Sequence, residues 1–155
     1  MGLAIEDFAG AWRLDRRIWE GGRVSSFEGR ASLERAGDAW LWREEGTLAL
    51  PDGARVRAER RHLWRPEGGA ISVAFEDGRP FYAFDPGGDT CTLEHDCPPD
   101  AYLGSLDLTG FPDWLLEWRV SGPRKSYVSR TRHTRALASA RDLRHPVTDM
   151  RRSAR

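Results

Sequence analysis

The sequence predicts an all-β protein, a single antiparallel up-and-down barrel of about ten strands with a short N-terminal helical turn and a basic C-terminal tail. Three observations point there. Apolar residues recur with period two through the body of the chain. Turn signals interrupt that pattern every 8 to 12 residues, and only short pieces at residues 3 to 9 and in the tail suit a helix. A meander that closes on itself also removes the exposed edges an open sheet would leave.

The elements follow in order, each bounded by Gly, Pro or Asp, which supply the backbone angles of tight turns. The first strand, 11–19, places Trp12, Leu14, Arg16 and Ile18 on one face and stops at Glu20-Gly21-Gly22. The second, 23–35, runs to Ala36-Gly37-Asp38. On the third, 39–50, Trp40, Trp42, Glu44, Gly46 and Leu48 share a face before Pro51-Asp52-Gly53. The fourth, 54–65, groups Val56, Ala58, Arg60, His62 and Trp64 and turns at Pro66-Glu67-Gly68-Gly69. Short strands at 70–76 and 79–85 flank Glu76-Asp77-Gly78. Pro86-Gly87-Gly88 leads into 90–97, where Cys91, Leu93, His95 and Cys97 lie together, and Pro98-Pro99 precedes 101–108. Gly110-Phe111-Pro112 opens 114–121, and Ser121-Gly122-Pro123 opens 125–135, where Lys125 shares a face with Tyr127. Successive residues alternate sides, so each row faces either lumen or solvent.

The 155 residues suit one domain, with the barrel at 1–135 and a mobile basic tail at 136–155. Lys plus Arg and Asp plus Glu both number 24, and a net charge of zero argues against a general polyanion binder such as a nucleic-acid protein. The balance is uneven: residues 135 to 155 hold six Arg against two Asp, leaving 18 basic and 22 acidic groups before them. A helical turn or two around Leu137 to Leu143 is expected in the tail. Lys125 is the only lysine beside 23 Arg. No run approaches the roughly 18 apolar residues of a membrane span, and the N-terminus lacks signal-peptide regions, so a cytoplasmic location is expected. Cys91 and Cys97 are expected as reduced thiols.

Gly10-Ala11-Trp12 at the start of the first strand matches the G-x-W signature of calycin and lipocalin-like barrels, whose Trp plugs one end under a basic residue of the last strand. Arg132 or Arg135 suits that place through a cation–π contact. The chain as a whole resembles domain-of-unknown-function family 6314, a mainly bacterial family. The matching pieces are Gly10-Ala11-Trp12 with Arg16, Phe27-Glu28-Gly29-Arg30-Ala31, Glu44-Glu45-Gly46, Arg60-Arg61-His62-Leu63-Trp64, Phe75-Glu76-Asp77-Gly78-Arg79, His95-Asp96-Cys97 with Asp100 and Tyr102, and Trp118 through Lys125. The resemblance covers residues 5 to 135 and implies a lipocalin-like barrel, with no established activity to carry over.

If the Trp12 row faces the lumen, the barrel holds Arg16, Arg60 and Lys125 with a single carboxylate, Glu44, among its aromatics. Buried charges must pair, or meet water or ligand. Either an Arg16–Glu44–Arg60 network knits the barrel, or the excess charge binds a small carboxylate or phosphate ligand. In the ligand reading Arg16, Arg60, Arg124 and Lys125 hold the anion, Glu44 orients the arginines, and Trp42, Trp64, Trp118 and Tyr127 line the cavity. Phe111-Pro112-Asp113-Trp114 forms a rim contact. The alternative is an enzyme on the same barrel, with His95 as acid/base, Cys97 as nucleophile and Asp100 or Tyr102 assisting. Haem held by His133, or a protein-interaction module using the tail, ranks lower. No ligand pair stands at C-x-x-C or H-x-x-x-H spacing and no phosphate-binding glycine loop is present, so neither a metal nor a cofactor is expected. The expected partner is a small molecule, with no nucleic acid and no membrane.

Overall fold

In the computed structural model, which describes residues 2–136, one turn of 3-10 helix (Ile5–Phe8) precedes ten strands. These are β1 Gly10–Glu20, β2 Arg23–Ala36, β3 Ala39–Ala49, β4 Arg55–Glu67, β5 Ala70–Phe75, β6 Pro80–Phe84, β7 Thr90–Cys97, β8 Asp100–Asp107, β9 Trp114–Ser121 and β10 Ser126–Arg135. The Leu137 to Leu143 helical turns and the rest of the tail lie outside the described residues.

All ten strands belong to one antiparallel sheet, ordered β6-β5-β4-β3-β2-β1-β10-β9-β8-β7. The first and last strands pair along their length, Trp12 opposite Arg135 through Glu20 opposite Tyr127. The expected closure between them is therefore made. The opening lies elsewhere: β6 and β7 end the sheet order, so the barrel is closed except along that seam. A bulge between Val73 and Ala74 lies on the β5 side of β6.

Burial follows the alternation read from the sequence. Trp12, Leu14 and Arg16 of β1, Trp42 and Glu44 of β3, His62 and Trp64 of β4, Trp114 and Trp118 of β9, and Thr131 and His133 of β10 all point inward and are buried. One end is plugged by aromatics. Phe8, brought over the barrel by the 3-10 turn, meets Trp64, Phe84, Phe111 and Trp114 at ring separations of 5.1–5.9 Å. Trp12 donates its indole N–H to the Phe8 carbonyl at 2.8 Å. Arg135 covers the Trp12 ring at 3.9 Å and donates to the carbonyls of Ala9 and Asp7. Of the two arginines expected there, Arg132 does not serve, because its even position on β10 turns it outward.

Gly29 and Gly46 face each other across β2 and β3, where the two backbones approach closely. A Cβ on Gly46 would stand 2.2 Å from the Glu28 carbonyl oxygen, a contact that only backbone movement relieves. Gly46→Ala is expected to cost about 1–3 kcal/mol, as overpacking does, seen as a lower urea midpoint with unchanged slope.

Candidate functional site

The middle of the lumen is polar. Arg16 donates through Nε to the Thr131 hydroxyl at 2.6 Å and through Nη2 to Glu44 Oε1 at 2.9 Å. The Trp42 indole N–H donates to Glu44 Oε2 at 2.8 Å, so both carboxylate oxygens are engaged. The Arg16 guanidinium also lies over the Phe27 ring at 5.2 Å. Burial pushes the Glu44 carboxyl up, but the Arg16 and Arg60 guanidiniums and the hydrogen bonds from Trp42 and Arg16 outweigh it and hold it at about 2. Glu44 is thus a permanent anion inside the barrel.

Arg60 stands opposite Glu44 in the β3–β4 register. Its guanidinium forms no hydrogen bond or ion pair at contact distance among the described residues. Protein crowds it, and burial followed by the neighbouring Arg16 lowers its pKa, yet the side chain remains solvent-exposed. Arg60 lines both lumen compartments. Among Arg16, Glu44 and Arg60, one anion stands against two cations, and Glu59 borders the outer side of the same layer.

Two compartments meet at this layer. The deeper is lined by Trp42, Trp64, Trp114, Trp118, Phe81 and His62 together with Arg16, Glu44 and Arg60, and encloses about 440 Å³ counted out to the open solvent. With the side chains as they stand, only about two waters fit in its interior. The second, of about 390 Å³ on the same count, is bounded by Ile18, Phe27, Leu48, Ala58, the same three charged residues and Glu59. The walls are flat aromatic surfaces: Trp42 stacks on Trp64 at 5.1 Å and 17°, and Phe81 on Trp118 at 5.3 Å and 13°. The Trp114 indole N–H is buried without a hydrogen-bond partner on a residue that lines the deep cavity. Such an orphan calls for an acceptor. Gly104 on β8 makes room for Trp118, since a Cβ there would meet the indole at 2.8 Å.

The histidines are separated and neutral where they are buried. Burial and then Arg60 hold His62 at about 4. Burial holds His133 at about 3, and its ring lies parallel to Trp114 at 3.4 Å. Among the described residues no group of three or more His, Cys, Asp or Glu side chains is placed to hold a metal ion.

The expected catalytic cluster is rearranged. His95 Nδ1 lies 3.0 Å from the Phe81 carbonyl oxygen, across the seam. Asp100 sits opposite Cys97, not His95, and its carboxylate is 3.7 Å from Lys125 Nζ. Strand pairing resumes at once after Pro98-Pro99 and sets Asp100 two pairs from the one that holds His95. Tyr102 is the residue opposite His95, with ring centroids 5.1 Å apart. Cys97 is exposed and Cys91 half-buried, both free thiols.

Lys125 donates to the Tyr102 hydroxyl at 3.4 Å, and that bond, then Tyr102 and Asp100 electrostatically, raises its pKa. It stays an ammonium partnered at the rim. Neither Lys125 nor Arg124 lines the lumen compartments, and Tyr127, near enough to Arg60 to interact with it electrostatically, borders a separate groove with Trp19 and Val128. The lumen compartments thus unite Arg16, Glu44, Arg60, Trp42, Trp64 and Trp118, with Arg124, Lys125 and Tyr127 outside their lining. Phe81, Tyr82 and Leu116 enter it unannounced by the sequence pattern. The adjacent aromatics Phe81-Tyr82 were the available signal, because two consecutive large rings on a short strand imply a bulge or an exposed ring.

The model of one family, Family of unknown function (DUF6314), matches residues 8–135. No curated protein matches the chain. Among solved structures, the S-type phycobiliprotein lyase CPES from Guillardia theta aligns at 11% identity with a TM-score of 0.61, over 86% of this chain and 91% of that one. A protein of unknown function from the DUF3598 family of Nostoc punctiforme aligns at 11% identity and TM-score 0.55, over 86% of this chain and 49% of the other. At such identity the likeness is one of fold. Among the described residues no helix is long and apolar enough to cross a membrane.

Proposed function

The chain belongs to the Family of unknown function (DUF6314), and on that premise we propose that its barrel is a cytoplasmic binding protein for one small, anionic, partly aromatic molecule held in the lumen. The observation that carries this is Arg60: a guanidinium lining the lumen with no ion pair at contact distance among the described residues, beside an Arg16–Glu44 pair already bonded. A cation kept there for stability alone would be paired. A carboxylate bound to Arg60 neutralises that guanidinium, the stacked indoles cover its ring, and Trp114 offers an unused donor. The fold neighbours agree with a barrel built around an interior, and their names add nothing about this ligand.

The test uses 2-naphthoate and isothermal titration calorimetry. Arg60→Gln is expected to weaken binding about 10- to 100-fold, the worth of a charge-assisted hydrogen bond, while urea stability changes by no more than about 0.5 kcal/mol. Equal affinity in the two proteins overturns the role of Arg60. No naphthoate binding, together with no retained mass in native mass spectrometry of the purified protein, overturns the ligand reading.

A further inference from the structure

Phe81 is the centre of a three-ring stack. Its ring lies on Phe75 at 4.6 Å and 20°, and its other face lies on Trp118 at 5.3 Å and 13°. Two nearly parallel walls, one on β5 and one on β9, thus bound a slot one aromatic ring thick. Phe81 and Trp118, though not Phe75, line the deep cavity together with Arg60 and His62. What fills the slot is a side chain from the least anchored strand of the barrel.

β6 has five residues, pairs only with β5 through a bulged ladder, and forms one lip of the seam. On the seam side, the Phe81 carbonyl meets His95 Nδ1 at 3.0 Å, a side chain standing where a backbone ladder would otherwise hold the edge. Phe81 itself is only half-buried. Moving its ring out costs one such bond and the stacking contacts, and a planar ligand restores the contacts.

Building on the lumen-binding reading above, we propose that the Phe75–Trp118 slot is the ring subsite of this barrel, that Phe81 is its resident stopper, and that the ligand is a planar aromatic acid whose ring replaces Phe81 while its acid group reaches Arg60. The two waters' worth of room in the cavity is then the closed state, and the ligand makes its own space. Saturated or bulky acids gain less, because two parallel walls accept a flat ring and little else. His95 sets how firmly the stopper is seated and acts on binding only through β6, so it is a positioning residue.

2-Naphthoate and cyclohexanecarboxylate are titrated into the wild type and the Phe81→Ala, Phe81→Trp, His95→Ala and Arg60→Gln variants. A stopper seated nine-tenths of the time or more lowers apparent affinity by that occupancy, so Phe81→Ala is expected to tighten naphthoate at least about tenfold. His95→Ala should raise its association rate several-fold, Phe81→Trp should weaken it several-fold, and the saturated acid should respond less. Tighter binding in Phe81→Ala with His95→Ala and Phe81→Trp unchanged would mean an artificial cavity and overturn the subsite. Unchanged affinity across the Phe81 and His95 variants, with Arg60→Gln still weakened, also overturns it and leaves the lumen reading standing. If wild type and every variant ignore both acids, both readings fall. Should Phe81→Ala not fold, His95→Ala and Phe81→Trp decide.

Discussion

Glu44→Gln is expected to cost about 3–5 kcal/mol at neutral pH, the penalty for breaking a buried ion pair and stranding its partner. The carboxylate is 5% exposed and accepts from two donors, Arg16 and Trp42, on its two oxygens. A Gln amide accepts on one side only and presents its own N–H groups to the other donor. Arg16 keeps Thr131 but loses its counter-charge. The double variant Arg16→Met with Glu44→Leu should recover most of the loss, because apolar packing of similar volume often replaces a buried pair without penalty. Urea unfolding of the four proteins of that cycle gives the coupling directly. A Glu44→Gln cost under about 1 kcal/mol would show that the pair does not hold the barrel.

The pH dependence carries the same signature. Glu44 titrates at about 2 in the fold against 4.5 ordinarily, so its contribution is complete above pH 4.5 and is lost as pH falls toward 2. His62 and His133 are held neutral, at about 4 and about 3 against 6.5, so the unfolded chain takes up their protons first. Stability is therefore expected to fall from pH 6.5 downward in two stages, histidines and then Glu44, with the second stage missing in Glu44→Gln. Arg16 and Arg60 thus differ on one layer: the first is bonded to Thr131 and Glu44, and the second makes no ion pair at contact distance among the described residues.

That division was half legible in the sequence. Period-two alternation placed Arg16, Glu44 and Arg60 in the lumen, because a single parity error would have exposed Trp12, Trp42 or Trp64 to water, a large penalty that pins the register. Which arginine Glu44 would choose was not legible, since it depends on side-chain reach across β1 to β4. The seam between β6 and β7 was hidden for a different reason: closure is a property of the whole sheet's twist and stagger, and no local pattern records where it fails. Phe81 was missed because the bulge at Val73 and Ala74 breaks the parity rule at the point where it matters. Where Asp100 would lie relative to His95 was not legible, because it depends on how tightly Pro98-Pro99 turns; the hairpin pairs Cys97 with Asp100. The lone lysine, singled out by composition, contacts Asp100 and Tyr102 beside the Gly122-Pro123 turn.

Trp12→Ala is expected to be at least as damaging, at about 3–5 kcal/mol, and for reasons the G-x-W pattern made readable. The side chain is fully buried, and deleting it opens a void among Phe111, Trp114 and Arg135 at the plugged end. It also removes the donor that satisfies the Phe8 carbonyl and so loosens the 3-10 turn carrying Phe8 into the barrel. Arg135 then loses the ring beneath its guanidinium but keeps its bonds to Ala9 and Asp7, which separates the two contributions. Trp12→Phe, which fills much of the space without the N–H, should cost less than half as much, and Arg135→Ala about 1–2 kcal/mol. Urea unfolding of the three variants orders them. Equal losses in Trp12→Ala and Trp12→Phe would make the N–H bond to Phe8, not the volume, the decisive contact. A Trp12→Ala loss below about 1 kcal/mol would mean that the plug is redundant and that the deep compartment tolerates opening from both ends.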